Sequence, residues 1–379
     1  MSTIPIIRPF LGPEEAAAAG EAIASGWVAQ GPRVARFEEA FAKKVGAAHA
    51  VAVSSCTTGL HLSLHVLGLA PGDEVIVPSL SFIATANAVR YVGATPVFAD
   101  VEASTQNVTA DTIERCLTPA TRAVMLVHQG GVPANVAAIH DLCDERGIAV
   151  VEDAACAIGS TFDGAPIGCH SDLVVFSFHP RKVLTTGEGG MITTPRADWA
   201  ERLRRLREHG MSVSAAARHN SRTPVAEQYL ETGFNYRMTD IQAAVGLVQL
   251  TRLEDIVARR RDLAERYQKL LGEIPGLEMA RDPLYGTTNY QSFWVVLPDD
   301  FPVTRDGLLQ RMMDNQISPR RGIMAAHLEP AYAGHPHIEL PVTERLTSRS
   351  VILPLFHQMT EDEQDRVVGV LRDAAGLDR

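Results

Sequence analysis

Short apolar runs alternate with helix-like stretches through the first half of this chain, and this alternation most restricts how it can fold. Several runs are apolar throughout, which is typical of strands covered on both faces. Seven strands are predicted, at residues 49–53, 74–78, 96–99, 123–128, 148–152, 173–178 and 191–194. Helices are predicted between them, at residues 58–69, 83–92 and 136–146. This order predicts an α/β fold with a mainly parallel seven-stranded sheet between helices.

The pattern changes after about residue 240. Four further elements are predicted there: a helix over residues 240–271, a strand over 290–297, a helix over 306–315 and a terminal helix over 360–374. Thr360 is followed three residues later by Glu363, which resembles a capping box. We therefore predict a large α/β domain over residues 1–250 and a smaller C-terminal α+β domain over residues 251–379.

The balance of charge excludes some classes of partner. With 45 acidic and 35 basic residues, the formal net charge of -10 argues against general binding to nucleic acid or anionic membranes. No apolar run approaches the roughly 18 residues that a membrane helix needs, and the first residues do not resemble a signal peptide. The five cysteines are scattered, without a CxxC pair. We therefore expect a cytoplasmic protein with reduced thiols and no metal site.

Two acidic residues end one of the predicted strands. Glu152 and Asp153 follow apolar residues and precede small ones. In open α/β sheets, ligands bind beyond the carboxyl ends of the strands. A carboxylate at this point is a candidate metal ligand, a ribose contact or a partner for a protonated ring nitrogen. A helix N-cap is the structural alternative.

A lysine closely follows another predicted strand. Lys182 lies between the strand over 173–178 and the sequence TTGEGG at residues 185–190. We expect burial near the strand to lower the pKa of this lysine and to free its amine for attack on carbonyl carbons. The threonines and glycines that follow offer hydroxyl donors and close backbone approach. A surface lysine before a hairpin is the structural alternative.

Small hydroxyl residues connect the first predicted strand to the next helix, in the sequence VSSCTTGL at residues 53–60. Free N–H groups at the start of a helix and the helix dipole favour a phosphate, so this turn is a candidate anion site. N-capping by Ser55 or Thr57 is the structural alternative. The turn has neither the GK[ST] of a Walker A loop nor GxGxxG, which argues against a NAD-binding dehydrogenase.

Taken in order, these segments resemble the DegT/StrS family of sugar aminotransferases, within the fold-type-I enzymes that use pyridoxal 5'-phosphate (PLP). The resemblance runs along nearly the whole chain and implies the PLP-transferase fold. It rests on SGWVAQGP at residues 25–32, EDAA at 152–155, SFH at 177–179, Lys182, TTGEGG at 185–190, GFNYRMTDIQAA at 233–244, and Leu353-Pro354.

This resemblance implies roles for five residues at the cofactor. Lys182 matches the lysine that forms a Schiff base with PLP. Asp153 matches the aspartate that pairs with the pyridine nitrogen and keeps the ring protonated, which makes the ring an electron sink. Ser177 matches a serine that hydrogen-bonds the phosphate, and Thr57 and Thr58 lie at the phosphate-binding turn.

Three further residues take cofactor roles by the same resemblance. Phe82 stands where the family stacks an aromatic ring on the cofactor, and ordinary core packing is the alternative. Asn235 matches a residue donated across a dimer interface to the neighbour's phosphate. Cys156 stands where many members carry His or Gln near the phenolic oxygen of PLP. Because a thiol is a weak hydrogen-bond partner, we expect Cys156 to fill space rather than to act as a catalytic thiol.

The resemblance also implies a homodimer with shared active sites, which moves an amino group from an amino acid such as glutamate to a keto group of a nucleotide-linked deoxysugar. His179, Arg320 and His327 are candidate substrate residues, with solvated surface charge as the alternative for Arg320 and His327. A cyclitol ketone as acceptor, a PLP-dependent sugar dehydratase and a regulator that only binds PLP are the alternative functions. Some dehydratases of the family replace the lysine with histidine, so Lys182 favours transamination.

Overall fold

A computed structural model describes residues 3–214, 218, 223–224 and 226–377. In chain order the strands are β1 (His49–Val53), β2 (Glu74–Pro78), β3 (Thr95–Ala99), β4 (Thr121–Val127), β5 (Ala149–Asp153), β6 (Thr161–Phe162), β7 (Ala165–Pro166), β8 (Leu173–Ser177), β9 (Gly190–Thr194), β10 (Glu278–Met279), β11 (Gly286–Thr287), β12 (Phe293–Val296), β13 (Arg320–Arg321) and β14 (Ser350–Leu353). The helices are α1 (Pro13–Ala24), α2 (Pro32–Val45), α3 (Cys56–Val66), α4 (Ala84–Tyr91), α5 (Ala110–Glu114), α6 (Val136–Asp144), α7 (Ala197–Leu206), α8 (Asp240–Thr251), α9 (Leu253–Leu271), α10 (Arg305–Asp314), α11 (Pro341–Arg349) and α12 (Glu361–Ala374).

The predicted seven-stranded sheet is confirmed, with strand order β1-β9-β8-β5-β4-β2-β3. The pairs β3–β2, β2–β4, β4–β5 and β5–β8 are parallel. Strand β9 is antiparallel to both of its neighbours, β1 and β8. Each predicted run corresponds to one of these strands, and the ends agree to within two residues. The sheet is therefore mainly parallel, with one reversed strand that the sequence pattern did not distinguish.

Helices cover both faces of this sheet, which explains why its strands are apolar throughout. Every residue of β8 is buried. Val175 belongs to an apolar cluster that includes Leu60 of α3. The next residue, Phe176, belongs to the cluster on the opposite face and packs on Phe41 of α2 with ring centroids 5.0 Å apart. Alternate side chains of one strand thus enter different cores, as a sheet between two helical layers requires.

The prediction of one continuous helix over residues 240–271 is wrong. The segment is divided at Arg252 into α8 and α9. The N–H of Arg252 donates to the carbonyl of Gln249, three residues back, so the chain tightens there instead of continuing the α-helical pattern. The Arg252 guanidinium then reaches α1, where it contacts Glu14 at 2.6 Å and Glu15 at 3.3 Å.

The helix predicted over residues 58–69 begins earlier and ends earlier than expected. Ser55 is its N-cap, because the Ser55 hydroxyl accepts a hydrogen bond from the Thr58 N–H. The capping box predicted at Thr360 and Glu363 is present at the start of α12. Local side-chain to backbone bonds therefore fix where both helices begin.

The C-terminal part of the chain contains a four-stranded antiparallel sheet in the order β10-β12-β14-β13. The strand predicted over residues 290–297 is shorter, Phe293–Val296. Two-residue strands form a small third sheet, β11-β6-β7. In the part of the chain that the structure describes, no helix is long and apolar enough to cross a membrane. The domain boundary after residue 250 stays a prediction, and it falls just before the break at Arg252.

Candidate active site

Strand register brings the predicted site residues to one edge of the large sheet. Gly190 of β9 is paired with Val53 of β1 on one side and with Ser177 of β8 on the other. Asp153 ends β5 and is paired with Val175 of β8. The turn after β1 and the loop after β8 therefore meet beside Asp153. This is the carboxyl edge of the parallel strands, where the sequence analysis placed the ligand.

Lys182 lies in the loop after β8 and turns its amine into the site. Its Nζ donates a hydrogen bond to the Cys156 sulfur at 3.1 Å. Burial acts to lower the pKa of Lys182, but the hydrogen bond and charge of Cys156, with the charge of Asp153, outweigh it and raise the pKa. The expectation of a lowered pKa is therefore wrong, because the amine faces acidic groups. The surface-lysine alternative is also wrong.

Asp153 is a buried carboxylate held by two donors. Its Oδ2 accepts from the Thr85 hydroxyl at 2.8 Å, and its Oδ1 accepts from the Ala155 N–H at 3.1 Å. Burial raises the pKa of Asp153, against the lowering effect of these two bonds. The sequence analysis missed Thr85, which lies in α4. A hydroxyl just after the proposed stacking residue Phe82 was the available signal.

The turn after β1 combines a helix cap with a close approach of β9. The Thr58 hydroxyl accepts from the Ser55 N–H at 3.1 Å, which completes the capping box, and it donates to the Ser55 carbonyl at 2.8 Å. Within the described residues, the Thr57 side chain has no hydrogen-bond partner. A Cβ at Gly190 would lie 2.6 Å from the carbonyl carbon of Ser55 and 2.7 Å from the nitrogen of Cys56. Glycine is therefore required where β9 passes this turn.

Phe82 and Asn235 are both exposed. Phe82 is 59% exposed, so core packing, the alternative reading of this residue, is wrong. Asn235 lies next to the turn after β1, because the Ser54 N–H donates to the carbonyl of Tyr236 at 2.8 Å. The exposed ring of Phe82 is free to cover a ligand, and the exposed amide of Asn235 is free to reach another molecule.

The three candidate substrate residues differ in position. The His179 Nδ1 accepts from the Arg181 N–H at 3.1 Å, and burial lowers the pKa of His179. Arg320 is exposed and lines a crevice together with Arg181. His327 is buried, with its Nδ1 2.6 Å from the Ser79 hydroxyl, so solvated surface charge is wrong for this residue.

Comparison with known proteins identifies the family. The sequence profile of the DegT/DnrJ/EryC1/StrS aminotransferase family matches residues 9–372. The chain belongs to this family. It is therefore an aminotransferase that uses PLP.

Solved structures of other family members superpose on the DegT-family chain along its length. The aminotransferase TlmJ from Streptoalloteichus hindustanus is 38% identical, with a TM-score of 0.90 over 98% of this chain and 99% of TlmJ. DesI, solved in the presence of its TDP-sugar product, is 33% identical, with a TM-score of 0.90 over 99% of this chain and 93% of DesI. The PLP form of Spr1654 from Streptococcus pneumoniae, assigned as a sugar aminotransferase, is 25% identical, with a TM-score of 0.92 over 99% of both chains.

The residues at the sheet edge of this DegT-family member fit PLP. The cofactor needs an amine, a carboxylate for the ring nitrogen and donors for the phosphate. Lys182 and Asp153 supply the first two. Gly190 is paired with Ser177 and lies against the start of α3, so Ser177 and the turn that carries Thr57 are close together. Among the described residues, no cluster of His, Cys, Asp or Glu side chains suits a metal ion.

Proposed function

We propose that this DegT-family aminotransferase moves an amino group from glutamate to a keto group of a nucleotide-linked deoxysugar. The observation that carries the proposal is the Lys182 amine beside the buried Asp153 carboxylate at one sheet edge. The similarity to DesI, which was solved with its TDP-sugar product, supports the acceptor class. The retained lysine favours amino transfer over dehydration.

Several side chains of the protein have separate roles in such a reaction. PLP supplies an electron sink for charge that develops on the substrate carbon. Asp153 holds the proton on the ring nitrogen, helped by the Thr85 and Ala155 donors that keep the carboxylate in place. Lys182 Nζ would take the proton from the donor's α-carbon and would later deliver a proton to the acceptor carbon that receives the amino group. Thr57 and Ser177 would bind the phosphate, and Phe82 would cover the ring.

We further propose that the enzyme is a cytoplasmic homodimer with shared active sites. Asn235 is exposed beside the phosphate turn and would bind the cofactor phosphate of the neighbouring subunit. Symmetric dimers are the commonest oligomers, and their two-fold axis gives both sites the same exchange of residues.

Amino transfer should be measured with a panel of nucleotide-linked keto-deoxysugars and cyclitol ketones, using glutamate or glutamine as donor. We expect turnover with the nucleotide-linked sugars, its complete loss in Lys182→Ala, and no change in Lys269→Ala, which removes an exposed lysine from α9. Turnover in Lys182→Ala would contradict the mechanism. Turnover with cyclitols alone, product formation without an amino donor, or PLP absorbance without turnover would instead identify one of the alternative functions.

A further inference from the structure

Two arginines approach each other next to Lys182. Arg181 precedes the lysine in the loop after β8, and Arg320 lies on β13 of the C-terminal sheet. Both line one crevice, together with Gln291, Ser292, Ile6 and Ile7. The two guanidinium groups are thus neighbours in this crevice, and partial burial, followed by the charge of Arg181, lowers the pKa of Arg320.

Neither guanidinium has a hydrogen bond or ion pair to any residue in the described part of the chain. The neighbouring arginine on the same strand differs, because Arg321 pairs with Glu329 at 3.1 Å. Successive side chains of a strand point to opposite faces, so Arg320 and Arg321 point apart. The nearby Glu188 carboxylate pairs with neither arginine and instead lies 3.9 Å from the His179 ring. Two uncompensated charges in one crevice form a site for an anion.

The backbone of Arg181 is held in place at this crevice. Its N–H donates to the His179 ring at 3.1 Å, and its carbonyl accepts from the Gln291 side chain at 2.9 Å. Lys182, whose amine donates to the Cys156 sulfur, directly follows Arg181 in the chain. The anion site is therefore adjacent to the reacting amine and belongs to a fixed part of the loop.

We propose that Arg181 and Arg320 together bind the α-carboxylate of the amino donor. This carboxylate is one bond from the carbon that carries the amino group, so it must lie close to Lys182 whenever that carbon reacts. The phosphates of a nucleotide-linked acceptor are separated from its keto carbon by part of a sugar ring and lie farther out. Planar guanidinium groups suit a carboxylate, since each can donate two parallel hydrogen bonds.

The proposal rests on the proposed amino transfer, but the donor half of the reaction tests it without an acceptor. The PLP absorbance of the purified holoenzyme should be followed while L-glutamate is added. We expect Arg181→Gln and Arg320→Gln each to raise the half-saturating glutamate concentration by roughly tenfold or more, as the loss of a charged hydrogen bond implies. The matched control Arg321→Gln should leave it unchanged, and the lysine variants of Arg181 and Arg320 should recover part of the loss.

A second donor tests which carboxylate is bound. The α-amide of glutamate keeps the side-chain carboxylate but has no α-carboxylate. The wild-type enzyme should use it much less well than glutamate, and the two Gln variants should weaken it no further. Equal use of both donors by the wild-type enzyme, or unchanged glutamate saturation in both Gln variants, would overturn the proposal.

A third measurement separates this inference from the proposed function. If the Gln variants weaken saturation by the nucleotide-linked acceptor and leave glutamate unaffected, the arginines bind acceptor phosphates and the inference is wrong, while the proposed function stands. If the wild-type enzyme aminates no nucleotide-linked sugar, the proposed acceptor is wrong. The donor titration still decides the role of the arginines in that case.

Discussion

The Thr85 hydroxyl donates a hydrogen bond of 2.8 Å to the Asp153 carboxylate. Burial raises the pKa of this carboxyl, and the Thr85 hydroxyl opposes the rise. Removing the hydroxyl leaves burial less opposed, so the pKa of Asp153 moves further up and a larger fraction is protonated at low pH. Because a protonated Asp153 cannot hold the charge on the cofactor ring, activity on the acid side is lost at higher pH than in the wild type.

We therefore expect Thr85→Val to move the acid limb of the pH–activity profile to higher pH. The alkaline limb should stay in place, because Thr85 does not contact Lys182. Thr85→Ser keeps the hydroxyl and serves as the control, with a profile close to that of the wild type. An unshifted acid limb in Thr85→Val would mean that Asp153 is held ionised by other groups.

At the scale of elements, the packing of β9 against the start of α3 sets the shape of the phosphate turn. A methyl group at Gly190 would meet backbone atoms of Ser55 and Cys56 at 2.6–2.7 Å, and these atoms cannot move without displacing the turn. Gly190→Ala should therefore lower the free energy of unfolding by about 1–3 kcal/mol, as overpacking typically does. It should also weaken retention of PLP.

Thermal unfolding and the visible absorbance that remains after gel filtration measure these two effects. Gly20→Ala is the matched control. A methyl group at this exposed position in α1 meets no atom within 4 Å, and alanine favours the helix. A Gly190→Ala protein that kept PLP as firmly as the control would show that the turn can adapt.

At the scale of the whole molecule, shared active sites predict that two inactive variants can restore each other. Lys182→Ala removes the amine of its own site, and Asn235→Asp places a negative charge against the neighbour's phosphate. A mixed dimer contains one site with both Lys182 and Asn235 intact. Co-expression of the two variants should then recover about a quarter of wild-type activity, since half of the dimers are mixed and each has one working site.

Co-expression of Lys182→Ala with Asp153→Asn is the control for this experiment. If the shared-site proposal is correct, both of these residues act within one subunit together with the partner's Asn235. Each site of a mixed dimer then carries one of the two changes, so no activity should return. If the Asn235 pair also failed to recover activity, residue 235 would act in its own subunit.

Much of this architecture follows from sequence, for reasons that particular elements make clear. Strand β8 is buried on both faces, so its five residues are apolar or small and stand out from their surroundings. The direction of β9 could not be predicted from the sequence, because reversing a buried strand leaves its composition unchanged. The strands β6, β7 and β11 could not be predicted either, since two residues are too few to show an alternation of apolar and polar side chains.

The site likewise contains residues that could be predicted from the sequence and contacts that could not. Lys182 and Asp153 were predicted because each follows an apolar strand in a recognisable family segment. Their partners were not, since the Thr85 to Asp153 and Cys156 to Lys182 bonds join residues far apart in the chain. The sequence shows which side chains end strands, and tertiary packing decides which of them touch. The phosphate roles of Thr57, Thr58 and Ser177 stay predictions.

The reversed strand β9 also has a consequence for how the protein is made. Strand β1 lies at the sheet edge beside β9, which follows much later in the chain. A ribosome must therefore extend the chain past Thr194 before β1 can be paired and the phosphate turn can meet the lysine loop. Non-local pairings of this kind slow folding. Until β9 emerges, the nascent chain carries an apolar strand with an open edge, which makes this interval the one in which it is most prone to aggregate.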